Sequence, residues 1–462
     1  MKSRFCPSPT GYVHLGNMRT ALFNALLADS APDGQFLLRI EDTDPERSKD
    51  EYVVGVEEDL LWLGLPWDEG PYFQSKRQAI YDQYYAQLEE MGRAYPCFCT
   101  DRELLLNRKF QQAAGKPPRY TGTCRHLTPE QREEKLAQGL QPTLRFHVQD
   151  AEFIHFEDLV RGKQRFNGVD IGDFVIRRAN GTSPFMFCNA IDDALMGVTH
   201  ALRGEDHLTN TPRQVLILQV LNLPAPKYGH ISLIVGPDGS PLSKRHGSRS
   251  IRELRESGFL PIAIVNYLAR LGHYYADESF MSLAELAAQF NVAQLGRSPA
   301  RYDEKQLHRW QHEALSRLTV EALRAWIGEE NLEQVPEELR EEFCRLIQPN
   351  IQFPKEAAPW AVALFAPELN YSTDHLEIIQ SAGPAFFKEA TAHGTDYAAM
   401  TTALKNNCGA KGKGLFQPLR VALTGELHGP ELEKILLVMG PERAKARFEL
   451  ALGLVENVGS GV

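Results

Sequence analysis

The beginning of the chain constrains its fold most. Residues 2–6 (KSRFC) read as a short strand, residues 7–16 as a Pro/Gly loop, and Met18, Leu22, Ala25 and Leu26 then recur at helical spacing over residues 17–28. Strand, glycine-containing loop and helix in that order are the grammar of an α/β fold. Gly11 and Gly16 permit close backbone approach, and a helix starting behind them points its free N–H groups and positive dipole end at the loop. That arrangement favours a bound phosphate, with His14 beside it as a donor. An H-x-G alone would read as a plain turn with a surface histidine.

The alternation continues. Residues 35–40 read as a buried strand ending in Glu41-Asp42-Thr43-Asp44, which could be a strand-end capping cluster. A capping box at Ser48-Lys49-Asp50-Glu51 opens a helix with a stripe of Val53, Val56, Leu60 and Leu63, and Gly64 stands at its C-cap. A further helix over residues 78–91 puts Ile80, Tyr84, Leu88 and Met91 on one face. From about residue 97 to 183 the pattern breaks into a Gly-, Pro- and Arg-rich stretch with β-like pieces at 143–148 and 174–177, which reads as an insertion. Residues 194–202 and 213–221 return to α/β character, and after Ile251 the pattern is almost wholly helical. There is no internal repeat.

At roughly 100–200 residues per domain, 462 residues suggest two to four domains. Hydrophobic residues at 43% and charged residues at 24% exclude a disordered chain. Fifty Lys and Arg against sixty Asp and Glu leave a net charge of −10, which argues against a protein that binds polyanions with its whole surface but leaves room for local basic patches. No apolar core of signal-peptide length and no run of about 18 apolar residues occurs, so no membrane partner and a cytoplasmic location are expected. Of seven cysteines, Cys97, Cys99 and Cys124 lie close to His126. In such a chain that grouping favours a metal over a disulfide. Cys6, Cys188, Cys344 and Cys408 are expected to be free thiols.

A second motif, Ser240-Pro241-Leu242-Ser243-Lys244-Arg245-His246, lies in a glycine-flanked loop. Adjacent cations on such a loop can fold over a triphosphate and stabilise charge developing in phosphoryl or nucleotidyl transfer. Together with the first motif, this pair resembles the HIGH and KMSKS signatures of class I aminoacyl-tRNA synthetases. RFCPSPTGYVHLGN, LLRIEDTD, ALRGEDHLTNTPRQ and PLSKRHG, in that order, resemble the bacterial glutamyl-tRNA synthetases, and LFQPLRVALT near the end is similar to the family's carboxy-terminal region.

The resemblance implies an α/β class I Rossmann-type catalytic domain with a zinc-bearing α+β insertion and an all-α anticodon-binding region behind it. It divides the chain at 1–96 and 189–250 (the two catalytic halves), 97–188 (the acceptor-binding insertion), 251–310 (a stem-contact region) and 311–462 (the anticodon domain). It implies that Arg4 holds the glutamate γ-carboxylate, that Glu41 receives the α-amino group, and that Cys6, Ser8, Phe185, Asn189 and Arg203 complete the glutamate pocket. ATP would meet Thr10, His14, Gly16, Asn17, Asp206, Ser243, Lys244 and Arg245, with His14 and Lys244 stabilising the α-phosphate transition state. A guanidinium fork suits a carboxylate and serves a neutral amide poorly. Three positions depart from the family: Asn17 in place of the last histidine of the first signature, Pro241 where a lysine is usual, and Phe185 where a tyrosine is frequent.

Three thiolates and an imidazole, Cys97, Cys99, Cys124 and His126, suit one structural tetrahedral zinc, and some relatives carry the same C-x-C…C-x-H pattern. Tyr120 is the alternative fourth ligand. Arg297, Arg301, Lys305 and Arg309 fall at roughly helical spacing, and Lys405, Lys411, Lys413 and Arg420 cluster later; each is either a tRNA phosphate contact or solvated surface. The expected activity is that of a glutamate–tRNA ligase acting as a monomer on ATP with Mg2+, L-glutamate and tRNA(Glu). The alternatives are a paralogue that charges tRNA(Gln) with glutamate, a shorter relative that glutamylates a modified tRNA base, and a non-catalytic tRNA-binding protein.

Overall fold

The computed structural model describes residues 1–115, 118–242 and 249–459. It divides into two compact units, Met1–Glu256 with Pro261–Leu307, and Ser257–Leu260 with His308–Val462. In the first, β1 (Lys2–Phe5), α1 (Leu15–Asp29), β2 (Gln35–Ile40), α2 (Asp50–Trp62) and β3 (Glu69–Phe73) alternate, and the three strands pair in parallel in the order β1-β2-β3. After α3 (Gln78–Glu90) the insertion follows: β4 (Ala94–Cys97), α4 (Asp101–Ala113), α5 (Pro129–Ala137), β5 (Thr143–Phe146), β6 (Phe153–Asp158), β7 (Gly162–Asn167), α6 (Gly168–Ile171) and β8 (Phe174–Arg177). There β4, β5 and β8 make an antiparallel sheet, and β6 and β7 a hairpin. Then α7 (Phe185–Leu195), β9 (His200–Gly204), α8 (Thr211–Val220) and β10 (Lys227–Ile231) restore the alternation, with β9 and β10 parallel.

The chain order reverses where β9 meets β1. The residue before β9 is joined to the first of β1, Thr199 N–H donating to Lys2 O at 2.9 Å. Further along, the side chain of Asn24 on α1 takes over: its amide donates to Leu202 O at 2.9 Å and its carbonyl accepts from Leu202 N at 3.2 Å. The strands therefore stay beside each other without a full ladder. Such a reversal opens a crevice at the carboxyl ends of the strands, where open α/β sheets bind ligands. α1 itself is buried along most of its length, which its sequence anticipates by having almost no charge.

Two local expectations are corrected. The capping box at Ser48 does not form: α2 is N-capped by Lys49 without a side-chain bond, and Ser48 Oγ is buried with no partner among the described residues. The entry to α2 is held instead by Lys49 N–H on Pro9 O at 3.1 Å, a bond to the loop after β1. On α3 Leu88 is buried as expected, but Tyr81 and Tyr85 take the inner positions expected for Ile80 and Tyr84, and Met91 is half exposed. Tyr81 turns inward because its hydroxyl donates to the buried Asp192 Oδ2 at 2.6 Å. Gly64 does sit behind α2 at φ 76°, where an L side chain would be strained.

The second unit is helical among the described residues. Its longest pair, Thr373–His393 and Pro441–Gly459, pack on each other, and the former bends at Gly383-Pro384. Of the basic positions, Arg297 lies in a loop, Arg301 in a two-residue strand, and Lys305 and Arg309 on the helix Glu304–Leu315, so they share no single helical face. Lys405, Lys411 and Lys413 are exposed, whereas Arg420 is half buried with Nη1 on Pro430 O at 2.8 Å.

Candidate active site

The carboxyl ends of β1 and β9 open into a cavity of about 440 Å³. Arg4, Cys6, Ser8 and Thr10 reach it from β1 and the loop behind, Gly16 and Asn17 from the first turn of α1, and Glu41 from the end of β2. Phe185 and Asn189 enter from α7, and Arg203 and Asp206 from the end of β9. His14 is the N-cap of α1 (φ −92°, ψ 162°), and its buried Nδ1 has no partner among the described residues. Ser243, Lys244 and Arg245 lie outside the described residues. On either side of them, Leu242 N–H donates to Ile234 O at 3.1 Å, and the backbone of Ser250 bridges that of His14. Both ends of the second motif thus return to the neighbourhood of the first.

The cavity floor rests on two adjacent acids of α7 that sequence reasoning missed. Asp193, fully buried, accepts Arg4 Nε and Nη2 at 3.3 Å each and Arg39 Nη2 at 2.6 Å. Burial would raise its pKa, but Arg4 and Arg39 outweigh that and hold the carboxyl below its ordinary range. Asp192 takes Arg77 Nε, Gln74 Nε2 and Tyr81 OH at 2.6–3.0 Å. Arg4 therefore gives one edge of its guanidinium, Nε and Nη2, to Asp193. The signal was available in principle, since two acids in the otherwise apolar FMFCNAIDDAL must be paired if the helix is buried.

Two carboxylates that looked alike in sequence separate here. Asp42 accepts Ser75 N–H at 2.8 Å and Ser75 O–H at 2.5 Å, so it caps the turn Gln74–Arg77 and is structural. Glu41 faces the cavity, and burial pushes its pKa up to about 7 despite Asn189, Arg39, Ser8 and Arg4 nearby. Across the cavity, burial lowers Arg203 to about 10. Its Nη1 is buried without a partner among the described residues. His207, also on the lining, lies against Phe185 with ring centroids 4.8 Å apart and planes tilted by 36°, and burial lowers it to about 4. Cys6 is pushed up to about 12 by burial, which leaves it an unreactive thiol.

In the insertion, one ligand atom from each of Cys97, Cys99 and Cys124 lies within 4.8 Å of the others. The Tyr120 hydroxyl joins them, 3.4 Å from Cys97 Sγ and 3.6 Å from Cys99 Sγ. His126 does not: it is exposed, on the turn that follows Cys124, and belongs to no such cluster. Of the two expected candidates for the fourth position, the structure places Tyr120 beside the thiols and His126 away from them. Three thiols and a phenol converging from two chain segments form a donor set compatible with tetrahedral zinc. The described cysteines are all free of disulfides. No helix among the described residues is long and apolar enough to cross a membrane.

A parallel sheet with its ligand cavity at the switch point, a phosphate-favouring helix start and a glycine-flanked loop returning to it define a nucleotide-using α/β enzyme. Residues 1–309 match the model described as tRNA synthetases class I (E and Q), catalytic domain, and residues 318–452 match an anticodon binding domain. The chain belongs to the class I tRNA synthetase family for E and Q. A Coxiella burnetii protein named glutamate–tRNA ligase 2 is 57% identical, covering 98% of this chain and 99% of its own. One of the same name from Nitrosococcus oceani is 55% identical over 97% of this chain and 98% of its own. A crystal structure of a glutamate tRNA ligase from Elizabethkingia meningosepticum, in complex with its amino acid, superposes with a TM-score of 0.88 at 28% identity, over 98% of this chain and 99% of that one.

Proposed function

We propose that the cavity at the ends of β1 and β9 activates L-glutamate with ATP, and that the chain is a glutamate–tRNA ligase. One observation carries the pocket reading: besides Arg19, whose terminal nitrogens are spent on the carbonyls of Leu271 and Ser232, and Asp206, read as an ATP-side residue, the charged groups lining the cavity are the buried Arg4 and Arg203 and the carboxylate of Glu41. That is the charge complement of glutamate, which has two carboxylates and one ammonium. In this reading Arg4 takes the γ-carboxylate end-on, Glu41 the ammonium, and Arg203 Nη1 the carboxylate that reacts, while Cys6, Ser8, Phe185 and Asn189 shape the remainder. An oxygen of that carboxylate attacks the α-phosphorus of ATP, the bond to pyrophosphate breaks, and glutamyl-adenylate forms. A terminal ribose hydroxyl of tRNA then attacks the glutamyl carbonyl carbon, loses its proton, and AMP leaves.

No protein nucleophile is required. Positioning and preorganised charge stabilise the in-line displacement. His14 beside the α1 N-terminus, with Lys244 from the second motif, faces the α-phosphate. Thr10, Gly16, Asn17 and Asp206, with Ser243 and Arg245, bind the rest of ATP, which arrives as its Mg2+ complex. Cys97, Cys99, Cys124 and Tyr120 hold one zinc that ties the insertion together. The helical unit reads the anticodon of tRNA(Glu).

Charging purified glutamate and glutamine tRNAs with labelled glutamate tests this. Product with tRNA(Glu) alone is expected. Product with tRNA(Gln) would assign the paralogue activity, and no product with either would defeat the enzyme reading.

A further inference from the structure

Arg203 is gripped along one edge, Nε and Nη2, by side chains from two other elements. Its Nη2 donates to Thr211 Oγ1 on α8 at 2.7 Å, and its Nε donates to His230 Nε2 on β10 at 3.2 Å. His230 stands opposite Arg203 in the parallel register of β9 and β10. Behind it, His230 Nδ1 bonds Asp158 Oδ2, at the end of β6 in the insertion. Asp158 is locked in turn, because its Oδ1 accepts the backbone N–H groups of Val160, Arg161 and His230 at 2.8–3.2 Å. The side chains of His230 and Asp158 are both wholly buried.

The proton positions follow from which groups can only donate. His230 Nε2 faces Arg203 Nε and, at 2.9 Å, the Thr211 hydroxyl, which can give it a proton, whereas Nδ1 faces only the acceptor Asp158; a guanidinium has no acceptor, so Nε2 accepts and Nδ1 carries the ring proton. That proton goes to Asp158, whose carboxyl is held below its ordinary range because His230 and the Arg161 and Val160 amides outweigh its burial. Burial, helped by Arg203 and Arg161, holds His230 below its ordinary value and keeps the ring neutral. Arg203 Nη1 is the one nitrogen of this guanidinium without a partner among the described residues, in a side chain that lines the cavity.

We propose that Asp158 and His230 are positioning residues of the glutamate pocket: Asp158 fixes His230 as the Nδ1–H tautomer, and the acceptor so created aims Arg203 Nη1 at the substrate. The inference rests on Arg203 being a glutamate contact. It also makes a hairpin of the insertion part of the amino-acid site.

Reversing the tautomer tests it. In Asp158→Asn the oxygen can still serve the three backbone amides, and the new NH2 faces Nδ1. His230 must then carry its proton on Nε2, donor against donor with Arg203. Glutamate KM should rise by about ten- to a hundredfold, the range for losing a charge-assisted bond of roughly 1.5–3 kcal/mol, with ATP KM within about twofold. His230→Gln keeps an acceptor near Nε2 and should hold glutamate KM within about threefold, whereas His230→Leu should lose it like Asp158→Asn. In the double variant Asp158→Asn with His230→Gln, the glutamate defect should largely disappear, because no tautomer remains to be reversed. Additive effects in the double variant, or ATP KM rising in step with glutamate KM for Asp158→Asn, would overturn the proposal. Arg203→Gln is the separate control: an unchanged glutamate KM there removes Arg203 from the pocket, whereas a raised one beside an inert Asp158→Asn sinks only the positioning role.

Discussion

Glu41 is a carboxylate kept from water that still has to meet a cation. Burial raises its pKa to about 7, above the ordinary value, so the buried anion costs stability from the unfolded pKa upward, and the cost reaches its full size above about 7. The proposed ammonium contact needs that anion. Glutamate KM should therefore fall as pH rises through about 7 and level off above it. In Glu41→Gln that limb should vanish and KM should stay high throughout; a limb that survives the substitution assigns the titration elsewhere. Arg4→Ala should raise glutamate KM and abolish preference over glutamine, read from paired activation assays, and an unchanged KM would take Arg4 out of the pocket.

At this scale the sequence was informative where residues sit in a contiguous motif, as Arg4, Ser8 and Glu41 do. It was silent where a side chain matters through a tertiary partner. Nothing local to Asp193 or His230 announces that each holds an arginine from another element, or that Asp158 stands behind His230. Tyr120 and His126 were indistinguishable until the turn after Cys124 left the histidine in solvent.

Among the elements, α7 bears on the site most directly. Its two acids neutralise Arg4, Arg39 and Arg77 inside the fold, so removing one leaves buried cations unpaired. Asp193→Ala should cost about 3–5 kcal/mol in denaturant unfolding, the range for breaking a buried pair from one side. A loss below about 1 kcal/mol would mean that water reaches these arginines. The insertion shows the opposite economy. α4 and α5 contain no buried residue, and the apolar centre beside them is only Tyr95, Cys97, Phe98 and Cys124 with a few half-buried neighbours. A segment so thinly packed depends on whatever joins its cysteines. Chelation should therefore speed amide exchange around Cys97, Cys99, Tyr120 and Cys124 while β9 and β10 stay protected, and equal exchange with and without chelator would deny a structural metal. Most elements were legible because their periodicity is strong. The α3 face turned from Ile80 and Tyr84 to Tyr81 and Tyr85 because a tertiary partner, Asp192, holds the Tyr81 hydroxyl, and the Ser48 cap failed because a loop from a different part of the chain supplied the contact.

For the molecule as a whole, the chain forms two compact units, the lower end of the two to four domains that its length suggests. Calorimetric unfolding should depart from two-state behaviour, with a van't Hoff enthalpy below the measured one; equality of the two would mean that both units melt together. The net charge of −10 restricts tRNA binding to local basic contacts, so affinity should fall with salt by a shallow slope that reports few phosphates. Arg420, turned onto a backbone carbonyl, is a poor candidate for one of them, unlike the exposed Lys411 and Lys413.

Asn24 never faces the cavity, yet through α1 it supplies the rung that β1 and β9 lack: its amide takes the backbone of Leu202 on β9, and its own backbone carbonyl accepts the Ser3 hydroxyl of β1 at 2.6 Å. It gives one hydrogen bond and takes one at Leu202, and gives a second to Thr20 O at 2.8 Å. Aspartate would lose the donors, leucine everything, and glutamine is one methylene too long for a fully buried slot. Drift at this position should be tolerated less than at several residues that touch substrate, because a changed contact alters one affinity, whereas a lost rung lets the crevice close or widen for every ligand that enters it.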